Sequence, residues 1–240
     1  MTILITGGAS GLGEAITRLL AESVENKVYF TYNKSDKKAL EIELQYKNTT
    51  SIKCDFSNEA ELKSLLEKIE IMDLEALINN AHCSRINQVH FHKISRENFL
   101  NDFTQNVIPT ILITQEVLKM FRKNKSGKII TILSSALANI PPLGYSVYVA
   151  NKAYLEKLTK VWASENSKFN ITSNSISPSF MQTAINDDVD ERIVEEIINN
   201  SPQKKLLTCN EVADTVMFLL SASCHINGVD ILMNGGVNLK

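Results

Sequence analysis

Tyr148 and Lys152 stand four residues apart in the run Tyr148-Val149-Ala150-Asn151-Lys152, and Ser135 lies thirteen residues upstream. On a helix, positions i and i+4 share a face, so this spacing sets an ammonium beside a phenol. A free tyrosine keeps its proton at neutral pH. A neighbouring positive charge favours phenolate and lowers the pKa. Tyr148 is then a usable general acid for an oxygen being reduced, and a base for the reverse step. Ser135, at the end of an apolar run, is placed to donate to the same oxygen as charge develops on it. Ser135, not the adjacent Ser134, is the candidate.

A second chemical signal lies near the N-terminus. Thr6-Gly7-Gly8-Ala9-Ser10-Gly11-Leu12-Gly13 directly follows the apolar run Ile3-Leu4-Ile5. Glycines between a strand and a helix let the backbone approach a pyrophosphate, and the helix N-terminus offers N–H donors. Gly7, Ser10, Gly11, Leu12 and Gly13 are the candidate phosphate-binding positions, Ser10 with a hydroxyl. By itself such a motif is weak; the strand–turn–helix context strengthens it. The next strand-like run ends at Tyr32-Asn33-Lys34-Ser35. An acidic residue there would accept the ribose hydroxyls of NAD and repel a 2′-phosphate. Asn33, Lys34 and Ser35 offer donors and a positive charge instead, which predicts NADP(H). Asp55 is the candidate acceptor for the adenine amino group. A nucleotide turn and a proton-transfer pair in one chain point to hydride chemistry on a carbonyl.

These residues need strands that end at a common edge. Apolar or β-branched runs at 3–5, 28–32, 51–54, 74–79, 128–133, 171–176 and 229–232 read as seven strands. Helical patterns lie between them, at 11–23, 36–46, 58–69, 95–121, 148–167, 186–200 and 211–221. Asn58 with Glu61 resembles a capping box, and Pro109 predicts a kink or break near Val107. Strands joined through helices form parallel sheets covered on both faces. Right-handed crossovers then give a doubly wound α/β fold. One Rossmann-type domain over residues 1–240 is expected. The candidate residues follow strands, where such sheets bind ligands.

Composition bounds the alternatives. The chain is 44% hydrophobic and 22% charged, with a net charge of −2. A globular protein is expected, with no global field favouring nucleic acid or an anionic membrane. No apolar run reaches membrane-spanning length, and with a strand pattern already at residues 3–5 no signal peptide is expected. Cys54, Cys83, Cys209 and Cys224 lack metal or redox spacing and read as reduced cytoplasmic thiols. His90 and His92 have no further ligands at a metal-site spacing, so no metal is expected.

Taken together, Thr6-Gly7-x-x-x-Gly11-x-Gly13, Ser135, Tyr148 and Lys152 resemble the classical short-chain dehydrogenase/reductase family over essentially the whole chain. The second half is most similar to bacterial 3-oxoacyl-carrier-protein reductases. The resemblance implies a cofactor-site role for Asn80 and Ala81 in Asn79-Asn80-Ala81. It implies a proton-relay water at Asn106 and a nicotinamide-side contact for Thr183. It also implies a homotetramer or dimer, with the helices at 95–121 and 148–167 packed against symmetry mates. The expected activity is NADPH-dependent reduction of a small-molecule ketone, Lys152 also holding the nicotinamide ribose. An alcohol or sugar dehydrogenase running in reverse, and an idle NADP-binding sensor, are the alternatives.

Two departures from the family pattern lie near the expected substrate. His82 and Ser179 stand where glycine is usual. His82 is either a tolerated loop change or the mark of a more polar substrate mouth. Ile140, Pro141, Pro142, Leu143 and Tyr145 predict one apolar wall. Asn186, Asp187, Asp188, Asp190 and Glu191 predict an acidic lid or a solvated helix face. Arg122, Lys123 and Lys125 could meet an acidic carrier or simply complement a helix end.

Overall fold

The computed structural model describes residues 1–83, 88–138, 140–183 and 189–237. Its strands are β1 (Thr2–Ile5), β2 (Lys27–Tyr32), β3 (Thr49–Lys53), β4 (Ala76–Asn79), β5 (Gly127–Ile132), β6 (Ile171–Pro178) and β7 (Asp230–Met233). All pair in parallel, in the order β3-β2-β1-β4-β5-β6-β7. The helices are α1 (Gly11–Ala21), α2 (Asp36–Gln45), α3 (Glu59–Glu70), α4 (Arg96–Asn124), α5 (Ser146–Asn166), α6 (Glu191–Asn200) and α7 (Cys209–Ser221).

The central strands are apolar on consecutive residues because both faces are covered. Ile3 and Ile5 join Ile78, Ile130 and Ile132 in a core shared with Ile16, Leu20 and Val216 of α1 and α7. Leu4, Leu77 and Ile129 point the other way, toward Leu65, Val117 and Trp162 of α3, α4 and α5. Alternate residues of one strand thus feed two cores. Phe121 closes the second core with no exposed surface. Gly127 makes room for it: a β-carbon there would lie 2.1 Å from the Phe121 ring.

Strand polarity brings all carboxyl ends to one edge. The strand order reverses between β1 and β4, so the turns after them flank the crevice where doubly wound sheets bind ligands.

Three local expectations need correction. α4 runs unbroken from Arg96 to Asn124 through Pro109. Proline removes one N–H and crowds the preceding turn, yet buried Val107, Pro109, Thr110 and Ile113 hold the helix on both sides. Asn58 does cap α3, accepting from the Ala60 and Glu61 amides. Glu61, however, reaches the Asn58 side-chain amide and the Asp55 N–H, not the Asn58 backbone. The acidic segment also starts late: α6 begins at Glu191, and Asn186, Asp187 and Asp188 lie outside the described residues.

Candidate active site

The turn after β1 is fixed by its neighbours. Gly7 and Gly11 have φ of +68° and +52°, a region that disfavours side chains. The Gly7 N–H donates to Thr31 Oγ1 at 3.0 Å. Asn80 Nδ2 donates to the Thr6 and Gly7 carbonyls at 3.0 and 3.2 Å. The Asn80 and Ala81 amides both donate to Thr6 Oγ1. Asn80 and Ala81 therefore lock the end of β4 to the end of β1. Gly13 is required by space, since a β-carbon would lie 2.0 Å from the Gly7 carbonyl oxygen.

This turn fits a pyrophosphate. Ser10 occupies the N-cap of α1, is exposed, and makes no cap bond with its hydroxyl. Thr183 lies against Gly11, 3.2 Å from where a Gly11 β-carbon would stand. Leu12 sends its side chain into the core, so only its backbone can serve a ligand. The sequence pattern did not single out Thr31; a β-branched strand residue carries no signal of its role.

At the end of β2, Lys34 is exposed and Ser35 sits at the N-cap of α2 with no cap bond. Asn33 turns its side chain to Asp55. Asp55 Oδ1 accepts from the Ser57 hydroxyl and amide at 2.7 and 2.9 Å. The Ser57 hydroxyl, with the Ser57 amide, Asn33 and the Lys34 charge, holds the Asp55 carboxyl below its ordinary range. Asp36 is paired with Lys53 at 2.7 Å.

The candidate proton-transfer residues converge between α4, α5 and the ends of β4 and β5. Lys152 is nearly enclosed, and its Nζ donates to the Ile132 carbonyl at 2.8 Å. Burial pulls its pKa down to about 8, against the charge of Asp102. The Lys152 Nζ lies 5.9 Å from the centre of the Tyr148 ring. The expected acidic phenol is not what this geometry yields: burial pushes Tyr148 up, while a hydrogen bond with Ser134 pulls it down. Among the described residues, Ser134 is thus the hydroxyl paired with the phenol. Ser134 also accepts from the Ala136 amide, and Ser135 opens the following 3₁₀ turn.

Asn106 is buried on α4. Its Oδ1 accepts from the Cys83 amide at 2.7 Å. Its Nδ2 donates to the Asp102 carbonyl and carboxylate, and its carbonyl accepts from the Thr110 hydroxyl. Asn151 Nδ2 also donates to Asp102 Oδ1, at 2.8 Å. Sequence reading missed Asp102 and Asn151. The available signals were spacing alone: Asp102 precedes Asn106 by one helical turn, and Asn151 adjoins Lys152.

His82 belongs to the same cluster. Its ring stands edge-on to Tyr148, and Tyr145 does likewise. Burial and the Lys152 charge lower the His82 pKa to about 4, so the imidazole is neutral at pH 7. Tyr145 accepts from Gln88 Nε2. Pro141, Pro142 and Leu143 instead line an open apolar recess with Phe91 and Val149. Arg122 is engaged by Asn166 and by the Phe169 ring at the end of α4. Among the described residues, no group of three or more His, Cys, Asp or Glu could hold a metal ion, and no helix is long and apolar enough to cross a membrane.

Comparison with known proteins places this geometry in context. A family model described as "Enoyl-(Acyl carrier protein) reductase" matches residues 7–238. The chain is 28% identical over 250 residues to the 2,3-dihydro-2,3-dihydroxybenzoate dehydrogenase of Bacillus subtilis, covering 98% of this chain and 95% of that protein. It is 30% identical over 237 residues to the 3-oxoacyl-[acyl-carrier-protein] reductase of Rickettsia felis, covering 98% and 96%. In structure it resembles the 3-ketoacyl-(acyl-carrier-protein) reductase of Brucella melitensis solved with NADH. The TM-score is 0.87 at 23% identity, over 99% of this chain and 98% of that one.

Proposed function

The chain belongs to the short-chain dehydrogenase/reductase family of oxidoreductases, and from that premise we propose that it reduces a small-molecule ketone to a secondary alcohol with NADPH. The observation that carries the reading is the convergence of Tyr148, Lys152 and Ser134, with Ser135 next in the chain, in a fold whose first strand ends in a glycine turn able to take a pyrophosphate.

The cofactor, when bound, supplies the hydride. Gly7, Ser10, Gly11, Gly13 and Thr183 would hold its phosphates. Asn33, Lys34 and Ser35 would meet the adenine ribose, and Asp55 the adenine. Lys34 is exposed and positive where an acidic residue would repel a 2′-phosphate, which supports NADPH. Tyr148 gives its proton to the substrate oxygen; a phenol kept protonated at pH 7 suits this direction. Ser135 donates to that oxygen, and Ser134 hydrogen-bonds the phenol. Lys152 stays cationic below about pH 8 and would hold the nicotinamide ribose. For Asn106 the proposal keeps the role implied by the family resemblance, that of holding a water that resupplies the proton.

The same residues serve the reverse reaction, and similarity to a dehydrogenase of a cyclic diol-acid favours testing oxidation too. The setting we propose is cytoplasmic, with Cys54, Cys83, Cys209 and Cys224 as free thiols. Exposed Leu100 on α4 and Tyr154 and Val161 on α5 support a homo-oligomer. A panel of 3-oxoacyl thioesters, simple ketones and keto-sugars, read by NADPH consumption, tests the function. Turnover of at least one class is expected; none across the panel, in either direction, would overturn it.

A further inference from the structure

Two aromatic rings meet the Tyr148 ring nearly at right angles, and both are tied to the segment after β4. The His82 ring lies 5.2 Å away with the planes at 81°. The Tyr145 ring lies 6.1 Å away at 84°. The backbone on each side of His82 is held. The Ala81 amide donates to Thr6 Oγ1 at 3.0 Å, at the end of β1. The Cys83 amide donates to Asn106 Oδ1 at 2.7 Å, on α4. Tyr145 stands at the N-cap of α5 and is held from further along the same segment. Gln88 Nε2 donates to its hydroxyl at 3.2 Å, and the Val89 amide donates to the Gly144 carbonyl at 3.2 Å. Gly144 has φ of +83°, and a β-carbon there would lie 3.0 Å from the Gln88 carbonyl carbon, so the two segments press together.

We propose that His82 is a positioning residue that sets the orientation of the Tyr148 phenol, acting with Tyr145 as one of two rings that bear on it. This rests on the reading of Tyr148 as the proton donor.

The phenol needs such support. Tyr148 is not fully buried, so close packing does not enclose it on every side. Its hydrogen bond with Ser134 holds the oxygen. That bond does not fix the ring plane, because the oxygen lies on the axis about which the ring turns. A phenolic hydrogen prefers the plane of its ring, so the plane directs the proton. Perpendicular contacts supply the missing constraint: the positive edge of one ring meets the negative face of the other, which favours one arrangement. Position matters at this scale, since a misplacement of about 1 Å can cost about a hundredfold in rate. Glycine, usual at this place in the family pattern, carries no ring, so the contact belongs to this chain's own sequence.

The test is a set of crystal structures of the full cofactor-free chain, native, His82→Gly and His82→Phe. The native chain and His82→Phe, which keeps an aromatic ring and removes the polar nitrogens, should hold Tyr148 in one shared orientation. His82→Gly should show the phenol turned away from that orientation or in more than one. A native phenol orientation in His82→Gly would overturn the proposal, and so would a displaced phenol in His82→Phe. If His82→Gly does not fold, His82→Ala removes the ring in its place. With a substrate the native chain reduces, His82→Gly should lower kcat by about tenfold, the scale of one ring pair, with NADPH affinity unchanged and kcat restored in His82→Phe. Native kcat in His82→Gly would also overturn the proposal. Because the structures need no turnover, they distinguish failure of this inference from failure of the catalytic reading.

Discussion

The His82 imidazole stands edge-on against the Tyr148 phenol, ring centroids 5.2 Å apart and planes at 81°. Tyr145 meets the same ring at 6.1 Å and 84°. Edge-to-face contacts of this kind favour one ring orientation. A histidine in the loop after β4 therefore packs directly against the phenol proposed as the proton donor.

Burial of this imidazole makes stability sensitive to acid. Burial, then the Lys152 charge, lowers the folded pKa of His82 from 6.5 to about 4. The unfolded chain binds this proton first, so stability is complete above about 6.5 and is lost as pH falls toward about 4. The loss is at most about 3 kcal/mol, less for the part of the ring that meets solvent. Urea unfolding of the native chain and His82→Gly at pH 7 and at pH 4 checks it. The variant should lose less stability on acidification; an equal loss would refute the assignment.

Gly13 predicts a steric failure. An alanine β-carbon would lie 2.0 Å from the Gly7 carbonyl oxygen and 2.6 Å from Asn80 Nδ2. Gly13→Ala should lower stability by about 1–3 kcal/mol, the scale of overpacking, and weaken cofactor binding. Denaturant melts and cofactor titration measure both.

Cofactor choice should respond to charge at the end of β2. Lys34→Glu should weaken NADPH by about tenfold or more and leave NADH less affected, since a charged contact to the 2′-phosphate is replaced by repulsion. The ratio of kcat/KM for the two cofactors is the measurement. A native preference for NADH would contradict the assignment.

The two serines should separate. Removing the Ser134 hydroxyl takes away what pulls the Tyr148 pKa down, so Ser134→Ala should move the Tyr148-linked limb of the pH profile upward. Ser135→Ala should instead lower kcat by about a hundredfold, as loss of an oxyanion donor does. The reverse pattern would exchange their roles.

The fold was readable because its signals are periodic. Seven apolar runs separated by helical patterns lead directly to a parallel sheet, and glycines after β1 mark the crevice. Of the kink or break expected at Pro109, the break does not occur, because packing around Val107 and Ile113 holds the helix through it. The pairing of Tyr148 with Lys152 was legible from type and spacing, and Asn106 was named only through the family resemblance. Asp102, Asn151 and Thr31 were not legible, because their roles arise between elements distant in sequence. The phenol's shift was misjudged for the same reason: burial is a property of the assembled fold, invisible in a four-residue spacing.

Replacing Tyr148 with phenylalanine tests the central claim most directly. The ring and its contacts with His82 and Tyr145 are kept, and only the hydroxyl is removed. With a substrate the native chain reduces, Tyr148→Phe should lose turnover by about a hundredfold or more while binding NADPH with native affinity. Native turnover in the variant would contradict the account.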